Sequence, residues 1–218
     1  MTLETRLADL LAEIRSCRRC EAHLPLGPRP VLRTKPSARI LVVGQAPGTR
    51  VHMTGMSWND ASGDRLREWM AIDRATFYDD SRVALVSMGL CYPGRDGNGG
   101  DAPPRPECAP LWHPRIMAML PNLRLVLLIG RYAQNFYLGK ARGSSVTATV
   151  RDWRRTLPGC LPLPHPSWRT LAWQRKNPWF DAELLPELRR RVHEALCPQT
   201  VDGQASDKNC GHPLSDLL

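Results

Sequence analysis

Lysine is scarce in this chain of 218 residues: Lys35, Lys140, Lys176 and Lys208 are the only four. The positive charge is therefore carried by arginine, whose planar fork suits phosphates and base faces better than a point charge does. Acids are too few to balance it. Twenty-one face 30 basic residues, which leaves a formal charge of +9 and a pI near 9.6. That excess favours nucleic acid as a partner, although a basic surface alone also explains it. Long apolar runs are missing too. The strongest, residues 123–130, is about half of the roughly 20 residues that a membrane span needs. The first nine residues carry Glu4 and Asp9 where a signal peptide would be apolar. A cytoplasmic protein acting at the nucleoid is therefore expected.

What is present can build a core. The hydrophobic share is 42%, enough to exclude a disordered chain. The length suits one domain, expected over residues 1–196, with a polar, patternless tail over 197–218. The seven cysteines are an odd number and no export signal accompanies them, so a disulfide framework is not expected. A metal site or plain buried thiols both remain open.

Hydrophobic patterning places elements along the chain. Leu3, Leu7, Leu10, Leu11 and Ile14 predict a helix over 2–16, followed by Cys17-Arg-Arg-Cys20 and a Pro/Arg-rich connection. Strands are predicted at 40–43, 83–86 and 123–129, with a short fourth at 161–164. Helices are predicted at 62–70 with Ser62 as cap, and at 106–120, 130–138, 145–156 and 178–196. Short apolar strands alternating with helices predict a three-layer α/β/α sandwich around a small parallel sheet of about four strands. Ligands of such sheets bind beyond the C-terminal strand ends, which selects segments 44–50, 87–94 and 165–169.

Two of those segments carry candidate chemistry. Gly44-Gln-Ala-Pro-Gly48 is a stiff turn whose backbone N–H groups can bind an anion, a carbonyl oxygen or a water; an ordinary strand-to-helix turn reads the same. No Lys-Ser/Thr follows it, so it is not a nucleotide-phosphate loop. In His165-Pro-Ser167 the proline aims an imidazole that can donate to a developing oxyanion. The two motifs together, each ending a strand of one sheet, are more specific than either alone.

That pair resembles the uracil-DNA glycosylase superfamily, and the resemblance covers roughly residues 10–195. It is nearest to the iron–sulfur families 4 and 5. Family 4 has Gly-Glu-Ala-Pro-Gly where this chain has Gly44-Gln-Ala-Pro-Gly48. Family 5 has Thr-Gly-x-x-Phe with Asp-x-Ser-Gly, similar to Thr54-Gly-Met-Ser-Trp58-Asn-Asp60-Ala-Ser-Gly63. The resemblance implies that Trp58 stacks on a flipped uracil, although a core tryptophan is the plain alternative. It also implies that Cys17, Cys20, Cys91 and Cys108 hold a [4Fe–4S] cluster, since four thiolates are what such a cluster takes. Zinc or unrelated thiols stay open as alternatives.

The departures from that pattern are specific. Gln45 replaces the family 4 glutamate and cannot act as a base; Ala46 stands where family 1 has an aspartate. Ser87 takes the strand-end place of the asparagine that reads uracil's edge, and Asn59 is the candidate substitute. Asp60 is placed first as the missing carboxylate, with Asp64 and Asp101 as alternatives. The implied mechanism has His165 donating to uracil O2, and the Gly44, Gln45 and Ala46 segment binding a uracil oxygen or the attacking water. Expected DNA contacts are Arg50, Arg142, Ser167, Trp168, Arg169, Arg175 and Lys176. The expected partner is uracil-containing DNA, single- or double-stranded, met by a monomer. Other excised bases (hypoxanthine, xanthine, mismatched thymine), or DNA binding without catalysis, are the alternatives. His52 lies where a covalent-trapping relative uses a histidine, but no basic run surrounds it.

Overall fold

The computed structural model describes residues 1–97 and 99–197. The expected tail, apart from Cys197, lies outside the described residues. Five strands form one sheet: β1 (Leu32–Arg33), β2 (Ile40–Val43), β3 (Val83–Val86), β4 (Leu125–Ile129) and β5 (Cys160–Leu163), in the order β1-β3-β2-β4-β5. β2 to β5 are parallel; β1 runs antiparallel on β3. The four expected parallel strands are present, and that antiparallel edge strand adds a fifth. It is two residues long, inside the Pro/Arg-rich connection, and exists only through its pairing with Val86 and Leu85.

Every residue of β2, β3 and β4 is buried, as a parallel sheet covered on both faces requires. Alternation splits them between two cores. Leu41, Val43, Ala84, Val86, Val126 and Leu128 face one. Ile40, Val42, Val83, Leu85, Leu125 and Leu127 face the other. The first core is closed by α1 (Leu3–Arg15), whose Leu7, Leu10 and Ile14 are buried, by α5 (Cys108–Met117) and by α6 (Gly130–Leu138). The second is closed by α3 (Ala61–Met70), α4 (Arg74–Tyr78), α7 (Val146–Arg151) and α9 (Leu185–Leu196). Two short helices, α2 (Thr49–Thr54) and α8 (Thr170–Lys176), follow the first and second motifs.

Three boundaries move. The cap of α3 is Asp60, not Ser62: the carboxylate accepts from the Gly63 N–H at 2.9 Å. The helix expected over 145–156 ends at Arg151 and tightens into a 3-10 turn, Trp153–Thr156. The last helix begins as a π-turn, Phe180–Leu184, before α9. None of these changes moves the C-terminal strand ends, which share one edge because Ile40 is in register with both Val83 and Leu125.

Candidate active site and thiol cavity

The loops after β2 and β3 stay paired beyond the strands. The Met88 N–H donates to the Gly44 carbonyl and the Gly89 N–H to that of Gln45, both at 2.9 Å. This sets Ser87 beside Gly44. A Cβ on Gly44 would lie 2.9 Å from Trp58 Cζ2 and 3.4 Å from Ser87 Oγ, so only glycine fits under the indole. The indole in turn lies near-parallel to the His165 ring, at 28° and 6.0 Å between centroids. Gly44, Trp58, Ser87 and His165, drawn from three strand ends and one loop, thus meet.

Trp58 is held under backbone strain. Its φ is +58°, a region that a bulky residue occupies only when its surroundings enforce it. The Tyr78 hydroxyl reaches the carbonyls of Ser57 at 2.9 Å and Trp58 at 3.0 Å, and buried Arg67 reaches the latter at 3.4 Å. Gly63 faces it so closely that a Cβ there would stand 1.8 Å from the Trp58 oxygen.

His165 lies in the wall of an open cleft and remains accessible to water. Burial still lowers its pKa, opposed by the nearby charges of Asp60 and Asp101, so the ring is neutral at pH 7. Asp101 shares the cleft. Burial raises its pKa, with His165 and Arg95 pulling the other way and Asp60 and Asp96 adding to the rise. Gln45 builds this corner: its amide donates to the carbonyls of Ala102 at 3.1 Å and Asp101 at 3.4 Å. The open cleft offers about 680 Å³, more than one pyrimidine needs. Its far wall contains Arg131, Tyr132, Thr147 and Trp173, which the sequence did not single out. No lysine lines it among the described residues.

The other expected residues divide. Asp60 faces His165 electrostatically but commits one oxygen to the Gly63 N–H. Asp64 pairs with Arg67 instead. Asn59 accepts from Arg74 at 3.0 Å, so its oxygen is engaged outside the Trp58–His165 stack. The carbonyl of Ser167 accepts from Arg65. Trp168 is 73% exposed, with Arg169 over its ring at 5.3 Å and exposed Leu171 close behind in sequence. Arg50, Arg142, Arg175 and Lys176 are exposed. His52 is buried against Tyr92, away from any reacting group.

A second cavity lies elsewhere. Cys17, Cys20, Cys91 and Cys108 all line it around a small space of about 30 Å³, walled by Leu24, Pro28, Leu111 and Trp112, with Arg19, Arg105 and Glu107 at its edge. Burial pushes the Cys91 thiol up to about 11 and that of Cys108 to about 12, and raises Cys20 as well; the neighbouring thiols add to each shift. Donors are already aimed at the sulfurs. The Leu90 N–H meets Cys108 Sγ at 3.4 Å, the Arg29 N–H acts on Cys91 and the Arg105 side chain on Cys20. Arg105 Nε is buried with no partner. Among the described residues, no three His, Cys, Asp or Glu side chains converge as around a single metal ion. Four thiols, with N–H groups or a guanidinium already acting on three of the sulfurs, match the donor set that a thiolate-held group takes.

The family model of the uracil DNA glycosylase superfamily matches residues 33–189. The match takes in both motifs, the Trp58 segment, and Cys91 with Cys108, while Cys17 and Cys20 precede it. With that span and this strand-end constellation, the chain belongs to the uracil DNA glycosylase superfamily.

Proposed function

We propose that the protein is a monofunctional DNA glycosylase that hydrolyses the N-glycosidic bond of deoxyuridine in DNA, releasing uracil and leaving an abasic site. The observation that carries this reading is the near-parallel Trp58 and His165 rings above Gly44, with two carboxylates acting on the same imidazole.

A base inside a duplex is out of reach, so the nucleotide leaves the stack. Exposed Trp168 and Leu171 fill the gap, and the surrounding arginines hold phosphates. Trp58 stacks on the extruded ring. As the C1′–N1 bond breaks, negative charge grows on uracil O2, where the neutral His165 donates, aided by backbone N–H groups at Gln45 and Ala46. Asp101, with its raised pKa and access to water, positions the attacking water; Asp60 helps offset the cationic sugar. Water is the nucleophile in this reading, and among the described residues the cleft presents no lysine amine.

Cys17, Cys20, Cys91 and Cys108 would hold a [4Fe–4S] cluster. When bound, it would supply iron–thiolate bonds that tie the end of α1 to the start of α5. Among the described residues no helix is long and apolar enough to cross a membrane, which suits a protein working on DNA in the cytoplasm as a monomer.

A second reading, excision of another deaminated base such as hypoxanthine or xanthine, is favoured by one observation. Gln45 holds the Ala102 carbonyl and Asn59 is bound to Arg74, so neither neighbouring amide is turned to a base edge. One assay decides. Purified protein is incubated with oligonucleotides containing uracil, hypoxanthine or xanthine, single-stranded and paired, and abasic sites are cut with alkali. His165-dependent cleavage at uracil supports the first reading. Cleavage only at a purine supports the second. Binding without any cleavage overturns both.

A further inference from the structure

The loop leaving β3 is bonded at every residue. The Ser87 carbonyl accepts from His113 Nε2 at 3.0 Å. The N–H groups of Met88 and Gly89 donate to Gly44 and Gln45. The Leu90 N–H meets Cys108 Sγ, and the Leu90 carbonyl accepts from the Val31 N–H at 2.7 Å. Two of these partners, Cys108 and His113, belong to α5.

His113 is the unexpected one. It is 1% exposed and lies on the apolar face that α5 presents to the sheet. Packing alone is served there by leucine or methionine, and a buried imidazole is costly unless both nitrogens are matched. Both are. A carbonyl can only accept, so Nε2 carries the hydrogen toward Ser87. Nδ1 is then the acceptor and takes the Tyr137 hydroxyl proton at 2.7 Å. Burial holds the ring neutral, which keeps this single tautomer at working pH.

We propose that His113, oriented by Tyr137, is a positioning residue of the candidate active site: its Nε2–H fixes the Ser87 carbonyl, so that the Ser87 hydroxyl and the loop to Gly89 stay registered against Gly44 and Gln45. The inference rests on reading the strand-end cleft as the glycosylase site, and it adds a residue that touches neither base nor sugar.

The full chain carries the test, with His113→Gln, His113→Leu and Tyr137→Phe. Glutamine places an amide N–H near the position of Nε2 and should rescue; leucine fills volume without a donor. Two readouts are taken. In hydrogen exchange, H113L should speed the Met88 and Gly89 amides by about tenfold, as expected for one lost bond. The amides of Val83–Val86 should stay within about twofold, and H113Q should lie near the parent. In uracil release, H113L should lower kcat by about tenfold while KM moves less than about threefold, and H113Q should recover most of it. If H113L does not fold, Y137F takes its place, with about threefold faster exchange at the same two amides. Unchanged exchange at 88–89, acceleration spread evenly through β3, or H113Q no better than H113L would each overturn the proposal. A parent protein that releases no uracil overturns the uracil reading alone, because the exchange pattern still decides what His113 holds.

Discussion

The cleft at the strand ends and the thiol cavity beside α1 and α5 are built on opposite terms. The cleft is open, about 680 Å³, and its ionisable groups keep access to water. His165 and Asp101 shift in opposite directions, each through burial and each checked by the other's charge. The cavity is small, about 30 Å³, and walled mainly by leucine, proline and tryptophan. The Cys20, Cys91 and Cys108 thiols all shift upward through burial, and the neighbouring thiols add to the rise. A site that must exchange substrate and water balances its charges internally.

The comparison can be broken or sharpened in four ways. The largest effect is expected from His165→Ala, which should lower single-turnover base release by about 10²–10³ while leaving the thermal midpoint unchanged. A large loss of stability instead would make His165 a structural residue. Next, Cys91→Ser should abolish bound iron and acid-labile sulfide and cost roughly 3 kcal/mol of unfolding free energy. Analysis of the protein purified without oxygen checks the first and urea titration the second. Equal stability and no iron in the parent would leave the cavity as plain thiols.

The third concerns pH. The folded pKa of His113 is pushed down to about 4 from an ordinary 6.5 by burial, against the pull of the Ser87 carbonyl. Between those values the unfolded chain binds the proton and the folded chain does not, so stability falls as pH drops through that window. Burial lowers His52 and His165 as well, in the same sense. The His113 contribution should approach roughly 3 kcal/mol by pH 4. Urea midpoints at several pH values should show the slope, flattened in H113Q. The smallest effect is Asp101→Asn, expected to cost about tenfold in turnover; if Asp60→Asn costs more, the roles of the two acids are exchanged.

Much of the fold was legible because a parallel sheet buries both faces of its strands, so that 40–43 and 83–86 read as plain apolar runs. Elements that depend on a partner were not. Leu32–Arg33 is a strand only because β3 offers it an edge, and α2 and α4 are too short to show a period. In the site, the Gly44 and His165 motifs were readable as stiff turns at strand ends. Asp60, by contrast, is a helix cap as well as a neighbour of His165, and a sequence cannot divide a carboxylate between those tasks. Asp101 stood only as an alternative acid in the sequence; the Gln45 amide, bonded to the Asp101 and Ala102 carbonyls, ties its loop to the cleft.

By itself the sequence determined the α/β class, the strand-end location of the chemistry, and the kinship of the two motifs with one superfamily. The first two follow from local periodicity and from turns that glycine and proline favour; the third is a resemblance carried by the residues of the motifs themselves. The tertiary structure alone decided that Trp58 sits strained over Gly44, that four thiols from three distant segments share one cavity, and that a helix histidine holds Ser87. Each of these is a contact across tens of residues, set by sheet register and by which buried polar groups find partners, and neither is written in any local stretch of chain.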